Sequence, residues 1–202
     1  MSKDVALECA CGAVKAVARG ISPERVNHVI CGCDSCQAFA RQLGRAEGIL
    51  DEGGGTRIFQ MSPKHLEIQQ GADRLSCMRL TPKGVLRWYA ECCRTPLGNT
   101  LPTAAAPFIG VICGGHTTFD NAAAAIGPLR ATVQMPDRAK NTKGFAMVVA
   151  MFGLLTKMLS WRLAGDKKRS PLFDAQTGAP IAPPRMLNEE EYSALTAQNV
   201  KA

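Results

Sequence analysis

A chain of 202 residues, 46% hydrophobic and 20% charged, has the composition of a soluble globular protein and a length that suits one domain with an appendage better than two equal domains. A formal charge of +7 raises nucleic acid and acidic membrane as partners. The basic residues are scattered, however, apart from Lys167-Lys168-Arg169, and aromatic residues reach only 5%, so the interleaved stacking pattern of single-strand binders is excluded.

Taken in order, the chain opens on Met1-Ser-Lys-Asp-Val-Ala-Leu-Glu-Cys9 without an apolar secretory segment, which places the protein in a reducing cytoplasm. Val5 to Glu8 reads as a strand leading into Cys9-Ala-Cys11-Gly12, a knuckle whose glycine permits the turn, and Ala13 to Ala18 alternates as a second strand. Val26 to Ile30 delivers the chain to Cys31-Gly-Cys33-Asp-Ser-Cys36. Asp34 is the expected N-cap of a short helix through Leu43 that begins at the cysteines, where backbone amides favour thiolates. Gly53-Gly54-Gly55 lacks the lysine and hydroxyl of a phosphate loop and reads as a hairpin connection.

Strands are expected at Thr56 to Gln60, His65 to Gln69, Leu75 to Leu80, Val85 to Ala90, Leu97 to Leu101 and Phe108 to Cys113, punctuated by Ser62-Pro63, Gly71-Ala-Asp and Thr81-Pro-Lys-Gly84. That spacing predicts an antiparallel, mainly β domain with added helices over residues 1–116. Residues 117–202 form a helical extension with a proline-rich tail, packed on the domain or on a partner subunit.

Within the extension, Asn121 to Ile126 is a helical turn or surface loop, and Lys143 to Leu163 is a helix apolar on most faces. Its uncharged run is too short for a bilayer span, so its expected cover is, in order, its own domain, a second copy in a homodimer through 143–163, or a membrane surface reached by Arg162, Lys167, Lys168 and Arg169. Ser170 to Leu187 is expected to run extended over the surface, and Asn188-Glu-Glu-Glu191 to cap a final helix.

Nine cysteines, an odd count clustered as C-x-C, C-x-C-x-x-C and Cys-Cys, fit metal binding better than a disulfide framework. Cys31, Cys33 and Cys36 can converge on one soft ion, with zinc (Zn2+) the default, and three ligands leave the fourth tetrahedral position open to a substrate. Cys9, Cys11, Cys92 and Cys93 are candidates for a second site, while Cys77 and Cys113 read as core. His28, His65 and His116 share no ligand spacing; His116, after Gly114-Gly115, is a candidate pocket residue. Neither Gly-x-Ser-x-Gly nor H-E-x-x-H is present, which removes serine hydrolase and ordinary zinc protease readings.

The order C-x-C-Gly, then C-x-C-x-x-C-Gln, then a cysteine before Thr95-Pro-Leu resembles the glutathione-dependent formaldehyde-activating enzyme family, which includes centromere protein V. The resemblance covers residues 5 to 115 and is closest to a bacterial branch carrying Arg87-Trp-Tyr-Ala-x-Cys-Cys-Arg-Thr-Pro96. It implies compact antiparallel sheets held by zinc, a catalytic zinc on Cys31, Cys33 and Cys36, and a structural zinc on Cys9, Cys11 and the Cys93 region. The chain departs from the family at Ala90, where a first cysteine is usual, at Arg94 in place of glycine, and at Gly32 in place of a frequent histidine.

The leading functional expectation is therefore a carbon-sulfur lyase or synthase, of the S-(hydroxymethyl)glutathione synthase type, acting on a small thiol such as glutathione and an aldehyde. Arg41, Arg45, Lys83 and Arg87 are the candidates to grip substrate carboxylates. The alternatives are a zinc-stabilised binding or dimerisation module without turnover, and a thiol redox or metal-storage protein.

Overall fold

The structure is a computed structural model and describes residues 2–114, 122–166 and 170–198. His116, Lys167, Lys168 and Arg169 lie outside the described residues. In chain order the strands are β1 (Lys3–Glu8), β2 (Lys15–Ile21), β3 (Asn27–Cys31), β4 (Thr56–Met61), β5 (Leu66–Gln70), β6 (Leu75–Arg79), β7 (Leu86–Ala90), β8 (Thr95–Thr100), β9 (Ile109–Ile112), β10 (Ala131–Val133) and β11 (Arg185–Met186). The helices are α1 (Asp34–Gln42), α2 (Ala46–Ile49), α3 (Ala123–Ile126), α4 (Gly144–Leu163) and α5 (Glu189–Thr196).

This is a mixed α+β fold of two sheets. The small one runs β1-β2-β5 and the large one β10-β3-β4-β9-β8-β7-β6-β11. From β3 to β6 every neighbour in the large sheet is antiparallel, as the turn spacing requires. Its two edges are not: β10 pairs parallel with β3, and β11 parallel with β6. The segment expected as a helical extension thus also supplies both edge strands.

The alternation of side chains along the strands makes two cores. Phe59, Met61, Leu86, Trp88, Ile109 and Val111 pack with Val5, Leu7 and Ala16 of the small sheet. Trp88 is fully buried, donates its indole N–H to Thr100 Oγ1 at 3.0 Å and meets Phe173 edge-on at 6.2 Å between centroids. On the other face, Ile58, Met78 and Ile112 pack against Ala38, Phe39 and Leu43 of α1.

Several expectations change. The N-cap of α1 is Cys33 rather than Asp34, which lies inside the first turn. The tail after Ser170 does run over the surface, with no buried residue from 174 to 186, but Leu172, Phe173 and Leu187 anchor it in the cores and β11 joins the sheet. α5 begins as expected, with Asn188 and Glu191 forming a reciprocal capping box.

Cover for α4 by its own domain is not what the fold provides, since Trp161 is its one buried residue among those described. The bilayer-length argument also fails, for it counted only the uncharged run. Counted with its charged residues, α4 is 20 residues long and contains an 18-residue window of mean hydropathy 1.5, so by length and composition alone it is able to cross a membrane.

Candidate functional site

Cys31 is the last residue of β3, Cys33 caps α1 and Cys36 sits in its first turn, so one strand-to-helix corner brings the three sulfurs within 4.8 Å of one another. The corner is held from inside. Cys36 donates its amide to Cys33 O at 2.8 Å, and buried Gln37 donates its side-chain amide to Gly32 O at 2.9 Å. β10 closes it from outside, with Gly32 N–H on Val133 O at 3.0 Å. A Cβ on Gly32 would stand 2.9 Å from Met135 Cα and 2.8 Å from its sulfur. The segment after β10 thus occupies the space that any side chain at position 32 would need.

The three sulfurs form part of the wall of a cavity of about 350 Å³ whose apolar lining includes Val29, Ile58, Leu80, Val85, Phe108 and Val133. Buried Arg87 enters from β7: Nη1 lies 4.0 Å from Cys36 Sγ and 3.2 Å from Asn99 Oδ1, and the guanidinium sits 5.2 Å over the Phe39 ring. Of the four basic candidates, Arg87 and Lys83 line this cavity. Arg45 is instead engaged with Cys93 O at 2.6 Å, and Arg41 with Gln37. Cys33 also borders a wider, open cleft of about 750 Å³ that holds Arg138, Asn141 and Lys143.

Three thiols this close cannot all ionise alone. Hydrogen bonds from Cys31 and Cys36, helped by Arg87, hold the Cys33 thiol well below its ordinary range. The bonds Cys31 makes to Cys33 and Cys36, with burial, push it far up. Cys36 is drawn down by Cys31, but Cys33 and burial outweigh that and raise it. A bound cation would let all three ionise together.

Beyond the C-terminal end of α1, where Arg94 donates to Gln42 O at 3.4 Å, the Cys9–Gly12 knuckle meets the β7–β8 turn. Cys11 Sγ lies 3.6 Å from Cys9 and 3.3 Å from Cys92, Cys9 to Cys92 is 4.0 Å, and Cys92 to Cys93 is 3.9 Å. Both neighbouring cysteines join because Arg94 takes a left-handed φ of 56° where the resembled family has glycine, turning the chain sharply after Cys93. The Val14 amide donates to Cys9 Sγ at 3.2 Å, and Thr95 Oγ1 accepts the Ala10 amide at 3.0 Å while lying 3.1 Å from Cys93 Sγ. Burial and the sulfurs of Cys11, Cys93 and Cys9 push Cys92 up to about 12. Burial opposes ionisation of Cys93 too, but the Thr95 hydroxyl, the Cys11 amide and the Cys11 and Cys9 sulfurs bring it down to about 6.

Donor type and spacing fit a soft divalent ion at both places. Zinc–sulfur bonds of about 2.3 Å in a tetrahedron require sulfur–sulfur edges of about 3.8 Å. The sulfur–sulfur distances among Cys9, Cys11, Cys92 and Cys93, 3.3 to 4.0 Å, bracket that value. Arg94→Gly should relieve the left-handed strain and stabilise the protein by about 0.5–1 kcal/mol in urea denaturation. Sequence reasoning missed Gln37, Asn99 and the buried state of Arg87. The only signal was the glutamine directly after Cys36.

The fold and its sulfur clusters define a mixed α+β protein with, among the described residues, two cysteine clusters able to hold a metal ion. Over residues 1–183 the sequence matches the family of unknown function DUF6151, and the chain belongs to that family. No curated protein matches it.

Proposed function

We propose that Cys31, Cys33 and Cys36 hold a zinc ion with one position facing the cavity, and that the protein makes or breaks the carbon–sulfur bond between a small thiol and an aldehyde. The supporting observation is a three-sulfur cluster, without a fourth cysteine, histidine or carboxylate ligand among the described residues, opening on an apolar cavity. Zinc, when bound, lowers the pKa of a thiol brought to it. The chain supplies the rest. In the addition the thiol S–H bond breaks, sulfur bonds to the carbonyl carbon, and the carbonyl oxygen takes the proton.

Charge balance explains Arg87. Three thiolates around a divalent cation carry one net negative charge, which the buried guanidinium beside Cys36 offsets, favouring entry of a further anionic sulfur. Lys83 at the cavity, with Arg138 and Lys143 in the open cleft, suits a thiol bearing carboxylates such as glutathione. The apolar walls exclude water, and about 350 Å³ is far more than a one-carbon aldehyde needs. The free thiols, with no disulfide among them, suit a reducing cytoplasm.

The test is zinc-loaded protein with a panel of thiols and aldehydes from formaldehyde to aromatic ones, following thiohemiacetal formation by NMR. Acceleration over the uncatalysed mixture is expected for at least one pair and its loss in Cys33→Ser. An X-ray absorption spectrum should show three sulfurs and one light atom at this zinc. No acceleration with any pair removes the enzymatic reading and leaves a zinc-stabilised binding module.

A further inference from the structure

The face of α4 turned away from the protein is a continuous apolar stripe. Phe145, Val148, Phe152, Leu155, Leu159 and Leu163 recur at three- and four-residue steps, and Phe145, Phe152 and Leu163 are 81%, 67% and 79% exposed. The opposite face is fixed to the protein. Trp161 is buried, and Lys157 donates to Val26 O at 3.2 Å and Asn27 Oδ1 at 3.1 Å. The helix therefore presents one flank about 30 Å long and keeps the other against β3 and β10.

Charge decides what that flank meets. From Arg138 to Asp166 the charged residues are Arg138, Lys140, Lys143, Lys157, Arg162 and Asp166, and the one acid is fully buried. Lys167-Lys168-Arg169 follow directly in the sequence. A second copy is the poorer occupant: pairing two α4 stripes in either direction brings Lys143 and Arg162 of one copy against the same cations of the other, with no helix carboxylate to answer them. An anionic surface complements every exposed charge along the helix. We infer that α4 docks flat on an anionic phospholipid surface, its apolar stripe sunk to the headgroup boundary and the sulfur clusters held on the water side.

This inference is independent of the zinc reading. The full-length protein is sedimented with vesicles of phosphatidylcholine alone and with about 30% phosphatidylglycerol. Binding is expected to the anionic vesicles, weaker to the neutral ones, and weakened by salt. The double variant Phe152→Glu with Leu155→Glu should raise the lipid concentration for half-binding more than about tenfold. Both positions are exposed, so its circular dichroism should match the parent's, which keeps a folding defect distinguishable. Absence of binding to either vesicle overturns the inference, as does equal binding by the variant. A mass that doubles with concentration and is reduced by the same substitutions would assign the stripe to a second copy. Retention in the membrane after alkaline carbonate extraction would mean that α4 spans the bilayer, which also overturns the flat docking.

Discussion

Replacing Cys9 and Cys11 together by alanine should halve the zinc bound per chain and cost about 4 kcal/mol of stability, whereas Cys33→Ser should remove the other ion for only about 1 kcal/mol. The difference is topological. Cys9 and Cys92 lie 83 residues apart in sequence, so an ion held between them closes a long loop and ties the β1–β2 hairpin to the β7–β8 turn. Loop closure of that length is worth about 4–5 kcal/mol in the chain-entropy account. Cys31, Cys33 and Cys36 occupy a single corner already fixed by the Gln37 and Val133 bonds, so their ion closes no long loop.

Zinc quantification and urea denaturation on the two variants check this directly. Equal destabilisation by the two would refute the division, and so would a double variant that keeps both ions. The same argument separates roles: the cluster joining distant segments carries stability, and the local one, facing the cavity, is free to exchange ligands. A chelator of moderate strength should therefore strip the Cys31–Cys33–Cys36 site first and leave the fold intact.

How far the sequence exposes this architecture depends on the length of the local signal. β1 to β9 carry alternating side chains and are separated by glycine and proline turns, so they are recognisable within a few residues at each end. β10 and β11 have three and two residues, too few for any period, and their parallel partners lie about a hundred residues away in the chain. The sulfur trio is legible because its ligands share one turn. The quartet is legible as a set of candidate ligands from the C-x-C and Cys-Cys groupings, but its geometry is not: Cys92 and Cys93 lie in the turn between β7 and β8, which closes through the left-handed Arg94. Arg87 is hidden for another reason: between Leu86 and Trp88 it looks like an outward-facing cation, and its burial is secured by Asn99 of β8 and by Phe39 and Cys36 of α1. For α4, apolar residues on nearly every face leave no period to tell the pinned side from the exposed one.

What holds the C-terminal end of α4 in place is a buried ion pair. Asp166, three residues past the helix, is fully buried; Oδ2 accepts the Ser62 hydroxyl at 2.7 Å, and Oδ1 forms an ion pair with Lys64 Nζ at 3.1 Å. The partners are unequal, for the Lys64 side chain is 28% exposed and that of Asp166 not at all. Lys64→Met should therefore be the costlier single change, about 3–5 kcal/mol, since it strands a carboxylate in the interior with one hydroxyl for company. Asp166→Asn should cost less, about 1–2 kcal/mol, because the amide oxygen still accepts from Ser62 while Lys64 can turn to water. Combining the two should cost less than Lys64→Met alone, since the stranded charge is then gone. Urea denaturation of the three variants reads the coupling, and simple additivity would show that the pair contributes nothing to anchoring the helix.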